Sequence, residues 1–102
     1  IGKHFPDTDL KYKGADSLRL CQAVDDIMTD KGYRVGNIDA TVIAQAPKLS
    51  PYIEEMRENI ARVFNTDVDN VSVKATTEEK LGFTGNKEGI ASHAVCLLEE
   101  EI

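Results

Sequence analysis

An apolar strand, an amphipathic helix and a second apolar strand follow one another in the middle of the chain, and this succession most constrains the fold. The strands are predicted over residues 34–44 and 70–76, because apolar and polar side chains alternate in both. The helix between them begins at Ser50 and Pro51, an N-cap residue followed by proline at the first helical position. Its apolar stripe consists of Ile53, Met56, Ile60 and Val63. A helix that joins two such strands predicts parallel pairing with a right-handed crossover.

Further elements flank this β-α-β unit. Residues 15–31 have apolar side chains at helical spacing, with Asp16 or Ser17 as N-cap and Gly32 at the C-terminal end. Residues 90–98 are predicted to form a third strand, although their periodicity also suits a helix. The order α-β-α-β-β predicts an α+β fold, a two-layer sandwich in which helices cover one face of an open mixed sheet. With 102 residues the chain is predicted to be a single domain.

The composition excludes broad classes of partner. The chain has 12 Lys and Arg against 18 Asp and Glu, a net charge of −6. A nucleic-acid-binding protein needs a basic surface, so we expect no nucleic acid partner. No apolar run approaches the roughly 20 residues of a membrane helix, so we expect no membrane partner. Cys21 and Cys96 fit no metal or redox spacing and are predicted to be buried, reduced thiols of a cytoplasmic protein.

Three segments contain residues that suggest ligand binding. In the first, two carboxylates with a hydroxyl between them can accept hydrogen bonds from sugar hydroxyls or hold a cation. The same residue types favour a solvated turn, and from chemistry alone the turn is the better interpretation. This segment consists of Phe5, Pro6, Asp7, Thr8 and Asp9.

The second segment joins the carboxyl end of a strand to a helix N-terminus, the edge at which open α/β sheets bind ligands. Small alanine side chains would let a ligand reach the backbone, whose amides can read the edge of a base, and Lys48 could meet a phosphate. The alternative, which suits the residues equally well, is an ordinary turn with Lys48 in solvent. This segment consists of Ala44, Gln45, Ala46, Pro47, Lys48, Leu49 and Ser50.

The third segment, residues 74–85, leaves the second strand and enters a glycine-containing loop predicted over residues 77–89. Thr76 and Thr77 leave a strand there, and threonine hydroxyls with nearby N–H groups can hold phosphoryl oxygens. Glu79 can hold Mg²⁺ or Mn²⁺, which prefer oxygen ligands and usually keep waters and substrate phosphates. The alternative is that one of the threonines caps a short helix. The segment contains no Walker motif.

Taken in order, the motifs of the chain resemble the C-terminal two-thirds of the 2-C-methyl-D-erythritol 2,4-cyclodiphosphate synthase family. The combination of IAQAPK with KATTxEKLGFTG at this distance is the specific part of that resemblance. The matching motifs are IGKHFPDTD, KGADS, KGYRVGNID, IAQAPK, VSVKATTEEKLGFTG and KEGI.

This resemblance implies an enzyme of non-mevalonate isoprenoid biosynthesis. The family converts 4-diphosphocytidyl-2-C-methyl-D-erythritol 2-phosphate into the cyclic diphosphate and CMP, a phosphorus–oxygen lyase reaction. The 2-phosphate of the substrate attacks the β-phosphorus, and CMP leaves. The family uses zinc on one side of the diphosphate and magnesium or manganese on the other. The resemblance also implies a cytoplasmic bacterial homotrimer with active sites between neighbouring subunits.

The resemblance also implies roles for individual residues. Ile1 and Gly2 match the end of a substrate-contacting turn, residues 5–9 match a loop beside the methylerythritol phosphate, and residues 44–50 match the cytidine pocket. The diphosphate loop would consist of Thr76, Thr77, Glu78 and Glu79.

Within that diphosphate loop, Thr77 takes the transition-state-stabilising role and Glu79 the magnesium or manganese site, while Phe83 and Asn86 are further substrate contacts. The sequence departs from the family pattern at Asn86, where an arginine is common, and at Glu78, where a threonine is common.

The family's zinc ligands, an Asp-x-His pair and a later histidine, belong to an N-terminal segment that the sequence does not contain. His4 and His93 lack partners at ligand spacing and do not replace them. We therefore expect the sequence to represent part of a synthase, and a chain that starts at Ile1 to form no cyclodiphosphate. The alternatives are a non-catalytic cytidine-nucleotide-binding module and an α/β interaction domain.

Overall fold

A three-stranded sheet with helices on one face forms the core of the computed structural model, which describes residues 3–5 and 16–101. Its helices and strands, in chain order, are α1 (Ser17–Asp30), β1 (Tyr33–Ile43), α2 (Ile53–Val63), β2 (Val71–Thr76), α3 (Gly82–Gly85) and β3 (Ala91–Glu100). Single turns of 3₁₀ helix, Ser50–Tyr52 and Val68–Asn70, precede α2 and β2. The predicted order α-β-α-β-β and the α+β class are confirmed, with one additional short helix.

The strand order in the sheet is β2-β1-β3. β1 and β2 are parallel, with Ile38 opposite Val71 and Ile43 opposite Thr76. β1 and β3 are antiparallel, with Ile43 opposite Ala91. The sheet is therefore mixed, as predicted. Because β1 and β2 run in the same direction, the chain leaves both strands at one edge, and β3 begins at that same edge.

The core lies between α2 and the two parallel strands. Ala61, Val71 and Val73 are buried, and a ring of half-buried apolar side chains packs around them. That ring consists of Ile38, Ala40, Ile53, Met56, Ile60 and Val68. Ile53, Met56 and Ile60 of the stripe predicted for the second helix thus face the sheet, and their burial stabilises the helix more than helix propensity alone.

Several local predictions need correction. Ser50 does not cap α2: it is the first residue of the 3₁₀ turn, and no side chain caps that turn or α2. Proline's fixed φ is compatible with the 3₁₀ turn, so the chain tightens before α2 begins. The loop predicted over residues 77–89 contains α3. Asp16, by contrast, caps α1 as predicted, since its carboxylate accepts a hydrogen bond from the Leu18 N–H at 2.8 Å.

The two cysteines are free thiols, but the prediction that both are buried is wrong. Cys21 is half-buried and Cys96 is exposed. Cys96 lies on β3, which has a neighbour on one side only among the described strands. Partial burial raises the pKa of the Cys21 thiol, because an apolar environment disfavours the thiolate. None of the helices described within residues 16–101 has both the length and the apolar character needed to cross a membrane.

Candidate functional site at the carboxyl edge of the sheet

A cavity of about 230 Å³ lies at the edge where the chain leaves β1 and β2. It brings together the segment after β1 and the segment after β2, which are separated by all of α2. Its lining residues are Ala44, Gln45, Pro47, Lys48, Leu49, Ser50, Ala75, Thr76 and Thr77. Two of the three segments selected from the sequence therefore meet at one site.

Parallel strand pairing explains this convergence. Ile43 and Thr76 are register partners, and the Ala44 N–H extends the ladder by donating to the Thr76 carbonyl at 3.1 Å. Ala44 is buried, so the start of the loop is firmly placed. Ala44 and Ala75 contribute only small methyl side chains to the lining. Ala75 lies within the third predicted segment, but no role at the site was predicted for it.

The polar groups at the cavity are suited to an anion. Lys48 is exposed, and it makes no ion pair with another residue in the described part of the chain. The Thr77 hydroxyl accepts from the Glu79 N–H at 3.4 Å, and the Thr76 hydroxyl donates to the Thr77 carbonyl at the same distance. Both contacts are long, so either hydroxyl can turn towards a bound phosphoryl group at little cost.

Other predicted residues line a second cavity of about 410 Å³, next to the cavity just described. It contains Glu78 and Phe83, together with His93 from β3. Its full lining is Ile43, Glu78, Leu81, Gly82, Phe83, Thr84, Ala91 and His93. Ala46, Glu79 and Asn86 line neither cavity. The predicted residues are thus divided between two cavities, with Ala46, Glu79 and Asn86 outside both.

The first predicted segment is described only in part. Phe5 is half-buried, and its ring lies against the His4 ring with centroids 6.4 Å apart and planes tilted by 56°. Ile1, Gly2, Pro6, Asp7, Thr8 and Asp9 lie outside the described residues. Their predicted roles beside the substrate remain predictions.

The described residues differ in how well they suit the two metals implied by the resemblance. Zinc does not fit, because no group of three His, Cys, Asp or Glu side chains in the described ranges could hold a metal ion. Mg²⁺ or Mn²⁺ fits better. The exposed Glu79 carboxylate and the Thr76 and Thr77 hydroxyls are oxygen donors within one short loop, and such ions take substrate phosphates and water as their remaining ligands.

Comparisons with known proteins identify the family of the chain. A protein-family model, that of the YgbB family, matches residues 1–99. The chain is 65% identical over 98 residues to the 2-C-methyl-D-erythritol 2,4-cyclodiphosphate synthase of Clostridioides difficile, covering 96% of this chain. The chain spans 61% and 63% of the length of two of the curated relatives that it matches.

Solved structures share the fold. The bifunctional IspDF from Campylobacter jejuni superposes with a TM-score of 0.92 at 43% identity, over 98% of this chain and 27% of that one. IspF from Plasmodium falciparum, solved as a CDP complex, superposes with a TM-score of 0.83 at 35% identity, over 100% of this chain and 60% of that one. The chain therefore belongs to the YgbB family, and its curated relatives are named 2-C-methyl-D-erythritol 2,4-cyclodiphosphate synthases.

Proposed function

We propose that this chain forms the cytidine-nucleotide and diphosphate half of an active site. That site converts 4-diphosphocytidyl-2-C-methyl-D-erythritol 2-phosphate into 2-C-methyl-D-erythritol 2,4-cyclodiphosphate and CMP in non-mevalonate isoprenoid biosynthesis. In the reaction, an oxygen of the 2-phosphate bonds to the β-phosphorus while the bond from that phosphorus to CMP breaks. The relatives' names and the relative solved with CDP support this proposal.

The cavity at the carboxyl edge of β1 and β2 is the observation that carries the proposal. A cytidine ring would lie against the segment after β1, where Ala44 and Pro47 line the cavity. The diphosphate would then extend towards the adjacent Thr76 and Thr77 at the end of β2. Lys48, an exposed cation at the rim, would meet one of the phosphates.

Each polar residue then has a task that its chemistry allows. Thr77 donates its hydroxyl hydrogen to the phosphoryl oxygen on which charge builds up, and so stabilises the transition state. Glu79, with phosphate oxygens of the substrate, would hold Mg²⁺ or Mn²⁺, which supplies charge neutralisation for two approaching phosphates. Positioning of both phosphates contributes the remainder, as is general for phosphoryl transfer.

The proposal extends to the parts of the site for which the described residues give no geometry. Zinc would be held by residues other than those described. Phe83 and Asn86, and the predicted contacts at residues 1–2 and 5–9, would complete the substrate site. The assembly would be a homotrimer with sites between subunits, in the cytoplasm of a bacterium.

Nucleotide binding and turnover test this function separately. We expect calorimetry on the complete gene product to give tighter binding of CMP and CDP than of the corresponding uridine and adenosine nucleotides, because backbone amides read the base edge. Phosphorus NMR should show the cyclic diphosphate forming as the substrate is consumed. Equal affinity for all three bases would contradict the assigned pocket. Cytidine-selective binding without turnover would instead support a non-catalytic nucleotide-binding module.

A further inference from the structure

Gln45 connects the two loops of the candidate site. Its side-chain oxygen accepts a hydrogen bond from the Lys80 N–H at 3.1 Å, across 35 residues of sequence. Gln45 is half-buried and directly follows Ala44, which is itself buried and bonded to Thr76. The acceptor oxygen therefore extends from a firmly placed part of the first loop to the backbone of the second.

The backbone at the far end of this contact has an unusual conformation. Glu79 and Lys80 are successive non-glycine residues in the left-handed region, with φ of 56° and 67°. Such a conformation is unfavourable for residues with a Cβ atom, and it persists where surrounding contacts hold it. Glu79 is also the carboxylate proposed for the divalent cation, so the turn determines where that carboxylate lies.

Two contacts hold the Lys80 backbone from different parts of the chain. One is the hydrogen bond to Gln45. The other is Gly85 of α3, which lies so close that a Cβ atom there would be 2.3 Å from the Lys80 carbonyl carbon. Within the turn itself, the Leu81 N–H donates to the Glu78 carbonyl at 3.0 Å, whereas the Glu79 N–H makes only a long contact to Thr77.

We propose that Gln45 is a positioning residue, which holds the left-handed Glu79–Lys80 turn and thereby places the Glu79 carboxylate relative to the nucleotide cavity. This inference rests on the proposed function and assigns Gln45 a role through Lys80 and Glu79. Occupation of the nucleotide cavity and placement of the cation ligand would be coupled by this one side chain.

Gln45→Met tests the role, because methionine keeps the length and volume of the side chain but provides no comparable acceptor. The matched control is Gln22→Met, since Gln22 is exposed on α1 and contacts only Asp26 at 3.2 Å among the described hydrogen bonds. In the complete gene product with Gln45→Met, we expect the Mn²⁺ concentration for half-maximal turnover to rise about 10-fold, the lower end of effects seen for groups that orient metal ligands. CMP affinity is measured alongside, because Gln45 also lines the nucleotide cavity, and we expect it to fall by a smaller factor than the Mn²⁺ requirement rises.

Hydrogen exchange at the Lys80 amide gives a readout independent of activity. We expect this amide to exchange faster in Gln45→Met and at the original rate in Gln45→Glu, because a carboxylate restores an acceptor oxygen. A large loss of CMP affinity with an unchanged Mn²⁺ requirement would make Gln45 a nucleotide contact and overturn the proposal, as would unchanged Lys80 exchange. If the unmodified protein forms no product, the proposed function fails, whereas the exchange and CMP measurements still decide whether Gln45 holds the turn.

Discussion

Arg57 joins α2 to the start of β2, and its replacement is expected to weaken the fold without altering the nucleotide cavity. Its guanidinium donates to the Val71 carbonyl at 2.7 Å and to the Val68 carbonyl at 3.0 Å. It also pairs with Glu54 at 2.9 Å on the surface of α2. Val71 is the most deeply buried residue of the core, so its carbonyl has little access to water as a substitute partner.

The magnitude for Arg57→Met follows from these contacts. Hydrogen bonds from a charged donor contribute about 1.5–3 kcal/mol each, and the lower end applies because the Arg57 side chain is 26% exposed. The two carbonyl contacts together therefore contribute about 3 kcal/mol. The pair with Glu54 adds only about 0.3–0.5 kcal/mol, as for exposed pairs on a helix. Methionine keeps the aliphatic packing of the arginine stem, so the loss of free energy of unfolding measures the polar contacts.

Urea unfolding followed by circular dichroism measures this difference. The matched control is Arg62→Met, because the exposed Arg62 side chain contacts only the Asn59 side chain at 2.7 Å among the described hydrogen bonds, and its loss should cost less than about 0.5 kcal/mol. The slope with urea should be the same in both variants if the unfolded states are equally exposed. If Arg57→Met were no less stable than Arg62→Met, the assignment of Arg57 as the link between α2 and β2 would be wrong.

Three further predictions concern the site and the pH dependence of stability. Glu79→Gln in the complete gene product should raise the Mg²⁺ or Mn²⁺ concentration for half-maximal turnover about 10-fold or more, because it removes a charged oxygen ligand. An unchanged concentration in a metal titration would refute the assignment of Glu79 as a cation ligand. The 102-residue polypeptide alone should form no cyclodiphosphate in a phosphorus NMR assay with excess Zn²⁺ and Mg²⁺, because the Asp-x-His pair that the family resemblance implies for zinc does not occur in its sequence; turnover by a chain of 11.2 kDa measured mass would contradict this. Partial burial, and secondarily the neighbouring Asp26, raises the pKa of Asp25. The folded state therefore favours the protonated carboxyl, and the stability that protonated Asp25 contributes is lost as pH rises through its folded-state pKa. Asp25→Asn should therefore gain stability relative to the unmodified chain between about pH 3 and pH 7 in urea titrations, and a constant difference across that range would exclude the effect.

The sequence by itself determined the order of elements and their packing faces. Alternation in residues 34–44 and 70–76, and the helical stripe between them, are local patterns of side-chain burial, and such patterns survive in almost any tertiary context. They were sufficient for the α+β class, the mixed sheet and the helices on one face. The IAQAPK and KATTxEKLGFTG motifs also carried the family resemblance, which the comparisons confirm.

Only the tertiary structure decided how the candidate site is divided and held. The register that places Ile43 opposite Thr76 brings two distant loops together, and it is what adds Ala75 to the cavity. The separation of Glu78 and Phe83 into a neighbouring cavity depends on where β3 begins. These features depend on contacts between residues far apart in sequence, and no local periodicity encodes such contacts.

The left-handed turn at Glu79 and Lys80 shows the same limit at the scale of single residues. Neither residue type favours a positive φ, so local propensity gives no sign of the turn. It is held by an acceptor from Gln45, 35 residues earlier, and by the close approach of Gly85. The sequence thus determined which residue types are present at the site, whereas strand pairing and these long-range contacts determined which of them meet, because only the folded chain brings them within bonding distance.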